Sequence, residues 1–458
     1  MKIIILGAGQ VGTSMAEILS REDNDVTLVD IDNEKLDGLQ DRLDIRTLHG
    51  AASHPSILEQ AGGRDADLVL AVTNQDEVNM AACQIAHSLF NTPKKIARIR
   101  SAEYLSHPGI FTDEAIPIDV IISPEHIVTQ HILHLIEYPG ALQVVNFASD
   151  RIQLVGVRAD RESPLIGREL KALREDLPNV DTRVAAIYRQ DRAIPPEGNT
   201  VIEPGDEVFF LAARENIQSV MSELCAVEKP GRRVMLTGAG NIGLRLAQTL
   251  EKSHYHVKLV EHNAVRAKQV SGQLDRTVVL HGDAADEALM HQENIDSIDI
   301  FCSLTNDDEA NILSAMLAKR LGARRTMALV NRSAYVDLME NTLVDIAISP
   351  RLATVGSLLT HVRRGAMVAV HSLRRGAAEA IEAIAHGDKT NSRVVGRSVE
   401  DISLPLGITL GAILRGKDVV IAHHDTVIES EDHVILFVVD KRHIREVEQL
   451  FQVAVTFV

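Results

Sequence analysis

Gly7-Ala8-Gly9-Gln10-Val11-Gly12 and Gly238-Ala239-Gly240-Asn241-Ile242-Gly243 are two copies of one glycine pattern, 231 positions apart. This spacing suits the binding of a pyrophosphate. The first glycine allows a tight strand-to-helix turn, the second lets the main chain approach the anion, and the third lets helix and strand pack closely. The helix that follows offers free N–H groups and a partial positive charge. Asp30 and Glu261 are also 231 positions apart, and Asp30 stands 18 residues past Gly12. An acid at that distance accepts a hydrogen bond from an adenosine ribose 2′-hydroxyl. It repels a 2′-phosphate, and neither Ile31-Asp32 nor His262-Asn263 supplies an arginine to hold one. NAD(H), or another adenosine nucleotide, is therefore expected over NADP.

A lone glycine pattern is a weak signal. Here each copy sits between an apolar run (3–6 or 234–236) and a helical pattern, and a second strand then ends in the acid. The repeat continues. A helix is expected over 34–43, then a short strand over 46–48 before His49-Gly50, matched by His281-Gly282. Strands over 68–72 and 300–304 run into Thr73-Asn74 and Thr305-Asn306. Asp76-Glu77 with Asn79, and Asp308-Glu309 with Asn311, then open apolar helices, where the acids either cap the helix and complement its dipole or contact a ligand or ion. A fifth strand carries Arg98 and Arg100, against Arg332 in the second copy, and a sixth ends in Ser123-Pro124 or Ser349-Pro350. Strands alternating with helices in this way predict an α/β fold. Each copy should be a Rossmann-like, doubly wound parallel sheet with ligand at the carboxyl ends of its strands.

The segments between also repeat. Leu165-Ile166-Gly167-Arg168 parallels Val394-Val395-Gly396-Arg397, and Thr-Val-Ile-Glu occurs at both 200–203 and 426–429. Each reads as a small α+β module with a closing helix, expected over 216–224 and 443–451. Turn formers near Tyr138-Pro139-Gly140, Lys229-Pro230-Gly231 and Arg363-Arg364-Gly365 mark the joins. The expected domains are 1–124, 140–227, 232–350 and 367–453, in the order A-B-A′-B′.

Composition narrows the function classes. A net charge of −17 argues against a nucleic-acid partner. The three cysteines, Cys83, Cys225 and Cys302, have no C-x-x-C spacing, so a disulfide framework or thiolate zinc site is not expected and a reducing cytoplasm fits best. No apolar run approaches the ~18 residues that span a bilayer, and Met1-Lys2 before four apolar residues is unlike a secretory leader. A soluble chain is expected, reaching a membrane only through a partner. His126, His131 and His134 lack a completing cysteine or carboxylate pair, so they read as a solvated helix face and no metal is expected. His423-His424 falls at an expected hairpin and reads as surface. The helices expected over 125–136 and 352–362 could pack on their own domains or swap between protomers.

This layout resembles the tandem RCK family, named for regulating potassium conductance, over essentially the whole chain. The glycine patterns, Asp30, Glu261 and Thr73-Asn74 with Asp76-Glu77 carry the resemblance. So do PKKIARIR (93–100), EYPGALQVVNF (137–147) and NDDEANILSAMLAKR (306–320). It implies a homo-oligomer, expected to be a tetramer, on the cytoplasmic face of the inner membrane. There it would regulate a Trk-type membrane potassium transporter or channel. Gly7, Ala8, Gly9, Gln10, Val11, Asp30, Thr73, Asn74 and Arg98 would line one site. Gly238, Ala239, Gly240, Asn241, Ile242, Glu261, Thr305 and Asn306 would line the other. Two departures make the sites unequal: Ala51 faces Asp283 in the repeat, and Arg98 faces Val330. ATP or ADP at the arginine-bearing site is consistent with this. A NAD-dependent oxidoreductase and a nucleotide-stabilised scaffold compete with the regulator. The B modules are too short for a substrate domain, and no Ser-Tyr-Lys set or His–acid pair stands in a catalytic context. Catalytic residues are therefore expected to be absent.

Overall fold

Unbroken apolar runs make strands that are buried on both faces, and the chain builds two such sheets. The computed structural model describes residues 1–22, 24–190, 192–225, 231–339, 343–363, 366–374 and 377–453. Lys229, Pro230, Arg364 and Gly365, from two of the expected joins, lie outside the described residues. The chain groups into two compact units, Met1–Ile127 with Arg351–Val362 and Val128–Pro350 with Arg363–Val458.

In the first unit, strands β1 (Lys2–Leu6), β2 (Asp25–Asp30), β3 (Arg46–His49), β4 (Leu68–Ala71), β5 (Lys94–Arg98) and β6 (Val120–Ile122) form one parallel sheet. Its order is β3-β2-β1-β4-β5-β6. Leu6 lies beside Val29 on one side and Ala71 on the other. Order therefore reverses between β1 and β4, and that switch point is where a doubly wound sheet opens a crevice. Ile4, Leu6, Val69, Cys83 and Ala97 are all but inaccessible in the core behind it.

The second unit opens with the antiparallel strands β7 (Ala141–Phe147), β8 (Ile152–Arg158), β9 (Thr182–Arg189), β10 (Arg192–Ile194) and β11 (Glu207–Ala213). A second parallel sheet follows, of β12 (Arg233–Thr237), β13 (His256–Glu261), β14 (Val278–His281), β15 (Ile300–Ser303), β16 (Arg325–Leu329) and β17 (Ile346–Ile348). Its order, β14-β13-β12-β15-β16-β17, repeats that of the first sheet. The chain closes with β18 (Met367–Leu373), β19 (Ala378–Ala385), β20 (Ile408–Arg415), β21 (Asp418–Ile421) and β22 (Asp432–Val438). Both antiparallel sheets have the same topology, β10-β9-β11-β8-β7 and β21-β20-β22-β19-β18. The expected α/β class, with a small mixed module after each Rossmann-like sheet, is borne out.

The two antiparallel modules share one core, in which Phe147, Leu154 and Leu211 of the first meet Ala380, Ile435 and Phe437 of the second. Their repeated Thr-Val-Ile-Glu segments have a common physical cause. Arg189 on β9 donates to the Val201 carbonyl, Glu203 and the buried Asp206. Arg415 on β20 donates to Val427, Glu429 and Asp432 in the same way. A buried carboxylate is tolerable only with such a partner, so the segment around it repeats.

The helices after the Ser-Pro pairs, Pro124–Glu137 and Pro350–Val362, follow a third arrangement. Residues 351–362 group with the first Rossmann-like sheet rather than with the domain they close, and residues 128–137 group with the second unit. The exchange is thus within one chain. Arg325 at the start of β16 donates to the Leu135 and Ala141 carbonyls, capping the end of Pro124–Glu137 from the second sheet. Lys94, its counterpart on β5, acts electrostatically on His361 of Pro350–Val362.

The solvated histidine face is also corrected. Asn146 on β7 hydrogen-bonds His134 Nε2 at 3.2 Å, and His371 on β18 stands edge-on to Phe147 at 5.1 Å. Burial, then the neighbouring His134, pushes the His131 pKa down to about 4. Burial, then His131 and His134, does the same to His371. His134 is lowered by burial, with Glu137 and Asp150 opposing the shift and Arg214 adding to it. A neutral cluster of this kind contributes its full stability above the ordinary imidazole pKa of 6.5 and loses it as pH falls towards 4. Urea midpoints should therefore fall between pH 7.5 and 5, and less steeply in a His131→Gln/His371→Gln variant. Parallel pH dependence in the two proteins would overturn this.

Candidate nucleotide sites

Each crevice begins with a turn that only glycine can make. Gly7 adopts φ +108° and Gly238 φ +90°, the left-handed region. Their amides continue the sheet by donating to Val29 and Val260 at 2.8 Å. Helices Gln10–Ser20 and Asn241–Glu251 then start so close to the turn that a β-carbon on Gly12 would fall 1.9 Å from the Gly7 carbonyl oxygen. On Gly243 it would fall 2.0 Å from that of Gly238. Gly9 and Gly240 behave differently. Each is a helix N-cap with no side-chain cap, and a β-carbon there would meet nothing within 4 Å. Uncapped N–H groups thus face open space beside the second glycine, as an approaching anion requires.

The acids brace this loop from β2 and β13. Asp30 accepts from the Ala8 amide at 2.5 Å and the Asp32 amide at 2.9 Å. Glu261, which is buried, accepts from Ala239 and Asn263, both at 2.8 Å. His49 and His281 each place Nε2 3.1 Å from the carbonyl of the residue after the acid, Ile31 and His262.

From the other side of the switch point come Thr73-Asn74 and Thr305-Asn306. Asn79, buried in helix Asp76–Phe90, accepts from the Thr73 amide and hydroxyl and donates to the Thr73 and Arg98 carbonyls. Asn311 makes the same bonds to Thr305 and to the Leu329 carbonyl. Sequence reasoning saw these asparagines only as helix openers; they tie β4 to β5 and β15 to β16. Asp76 and Asp308 do not cap their helices. Asp76 accepts from the Arg100 and Ser101 amides, and Asp308 from Asn331 and Arg332.

These bonds also correct the repeat's register. Asn79 matches Asn311 at an offset of 232, but the carbonyls they reach, on Arg98 and Leu329, are 231 apart. The counterpart of Arg98 is therefore buried Leu329, not Val330, and the second site still lacks that cation. Arg98 is half-buried, and its Nε has no partner among the described residues. Burial, then Arg100, disfavours its charge. The second copy instead has hydroxyls beneath its loop, where Thr237, Ser303 and Ser314 bond in series.

One further residue escaped sequence reasoning. Arg266 Nε donates to the Ala239 carbonyl at 2.9 Å, so a guanidinium lies on the second glycine loop. Extending the repeat beyond the acid would have found it, because its counterpart at an offset of 231 is Lys35. A cavity of about 420 Å³ lined by Lys2, Asp25, Asp44, Arg46 and Asp65 opens at the opposite, amino end of the first sheet, away from all these groups. Among the described residues no group of three His, Cys, Asp or Glu side chains could hold a metal. No described helix is long and apolar enough to cross a membrane.

Two nucleotide-type crevices on a duplicated Rossmann-like frame, each followed by an antiparallel module, define a class of tandem binding proteins. The chain matches the TrkA-N domain over residues 3–124 and 234–350 and the TrkA-C domain over 154–224 and 389–452. It is 63% identical over 457 residues to the Trk system potassium uptake protein TrkA of Halomonas elongata, covering all of both chains. The chain belongs to the TrkA family. In fold it is similar to the GsuK RCK domain, with a TM-score of 0.61 at 17% identity over 98% of this chain and 94% of that one. The GsuK channel bound to NAD gives 0.61 at 16% over 98% and 78%.

The two kinds of glycine should respond differently to alanine. Gly12→Ala and Gly243→Ala should each destabilise the protein by about 1–3 kcal/mol, the usual cost of overpacking. Gly9→Ala should stay within about 1 kcal/mol, the scale of an N-cap change. Urea denaturation followed by circular dichroism checks this, and equal losses at Gly9 and Gly12 would contradict it.

Proposed function

We propose that the two crevices bind adenosine nucleotides, NAD(H) foremost, and that the protein uses them to regulate a membrane potassium transporter of the Trk type. The supporting observation is the pairing of Asp30 with Ala8 and of Glu261 with Ala239 beside an open Gly9 or Gly240. A carboxylate has about four lone-pair sites, so each acid can hold its loop and still accept from a ribose hydroxyl. In this reading Gly7 to Gly12 and Gly238 to Gly243 cradle the pyrophosphate, and Thr73-Asn74 and Thr305-Asn306 border its far half. Arg98, with an unpartnered Nε, pairs with phosphate and suits ATP or ADP at the first site.

The regulatory role draws on the family and on the duplicated layout. The working assembly is a homotetramer on the cytoplasmic face, held by its membrane partner. Nucleotides act by binding one assembly shape more tightly than another, because equal affinity for both would shift nothing. Coupling of ~1–3 kcal/mol would change the ratio of shapes about 5- to 150-fold. A non-enzymatic role agrees with the burial that raises the Cys83 and Cys302 thiols to about 12, far from nucleophilic range.

Asp30→Ala and Glu261→Ala should each weaken NAD(H) binding at their own site by about 1–3 kcal/mol in calorimetry. Unchanged affinity in the double variant would remove the dinucleotide reading. In cells lacking the gene, the wild-type protein should restore potassium uptake, and the double variant should give uptake that no longer follows nucleotide supply. Normal uptake without any protein would end the transporter assignment.

A further inference from the structure

The two crevices differ most where an adenosine ribose would sit. In both, the residue between the first two glycines gives its amide to the acid of the second strand, so the recognised ribose lies against Ala8 or Ala239. In the first crevice the Ala8 carbonyl takes a 3.3 Å bond from Thr13, and Lys35, the counterpart of Arg266, is bound to Asp32 at 3.0 Å. Lys35 also interacts electrostatically with Asp30, but its ammonium is engaged by Asp32. In the second crevice the Ala239 carbonyl is held by Arg266 Nε. The two terminal nitrogens of that guanidinium have no hydrogen-bond partner among the described residues. Glu261 therefore faces a cation across Ala239, and His262 Nδ1 lies 3.1 Å from its carboxylate. His262 itself is exposed.

We propose that the second crevice, and not the first, accepts a dinucleotide with a phosphate on its adenosine ribose, and that Arg266 is the residue that selects it. The guanidinium is a planar fork whose terminal nitrogens match two phosphate oxygens. One nitrogen is already anchored on the loop, so less side-chain ordering remains when the terminal nitrogens bind. The Glu261 carboxylate, which would otherwise repel the phosphate, is engaged by two backbone amides, and Arg266 stands on the carbonyl of the same loop residue that donates to it. Asp30 has amides but no free cation. This amends the expectation that both acids exclude NADP, because the cation lies beyond the two residues that follow the acid. The arginine comes five positions after Glu261 and returns through the turn.

This inference rests on the nucleotide reading above, and titration of the full-length protein separates the two. NAD⁺ should fill two sites per chain and NADP⁺ one. Arg266→Ala should weaken NADP⁺ roughly 10- to 100-fold, the range for a lost bond to a charged group, and NAD⁺ less than threefold. Arg266→Lys should retain part of the NADP⁺ affinity, and Lys35→Ala should leave it unchanged. Should NAD⁺ bind while NADP⁺ does not, or should Arg266→Ala weaken both alike, Arg266 is not selecting a ribose phosphate and the inference falls alone. Failure of NAD⁺ itself to bind would take the nucleotide reading with it.

Discussion

The absent β-carbons of Gly12 and Gly243 are the constraint on which the rest of the molecule depends. With 1.9–2.0 Å between an imagined β-carbon and the carbonyl of the first glycine, no other residue lets helix and strand meet there. That contact sets the start of the helix and leaves its first N–H groups uncapped. It also puts the second residue of the loop within reach of Asp30 or Glu261. The Asn79 and Asn311 networks complete the opposite wall. The crevice is thus a set of backbone groups aimed by a few side chains, which suits a ligand held by phosphate and ribose.

Duplication preserved this frame and relaxed what lies around it. The strand order, the acid–amide bond, the histidine–carbonyl contact and the asparagine brace are all repeated. The free cations are not. The first copy carries Arg98 at the end of β5, on the far side of the switch point, and the second carries Arg266 on the glycine loop itself. The second copy also has a buried hydroxyl chain beneath its loop. Duplication has thus left two crevices with one backbone geometry and differently placed free cations.

How much of this was legible in the sequence depended on how each constraint shows itself. Backbone requirements appear as residue type, so the glycines, both acids and the Rossmann order could be read directly. Register could not. A helix of 15 residues, Asp76–Phe90, became one of 13, Asp308–Arg320, and the match slipped by one at Arg98. Helical spacing identified the faces bearing His131 and His134 but carries no information about what covers them, and β7 and β18 do so. The same limit concealed which sheet receives each exchanged helix. Arg266 was not legible at the two positions after Glu261, because it stands five positions on and reaches back to the Ala239 carbonyl through the turn.

That exchange also has a consequence in time. Residues 351–362 belong to the unit whose other part ends at Ile127, and Leu358 and Leu359 are wholly inaccessible there. During synthesis at about 5–20 residues per second, the nascent first unit waits roughly 10–50 s before its last helix leaves the ribosome. Throughout that interval the apolar surface that Leu358 and Leu359 will cover is open to other chains. A newly made amino-terminal half is thus a vulnerable species, and truncation before residue 351 would make that state permanent.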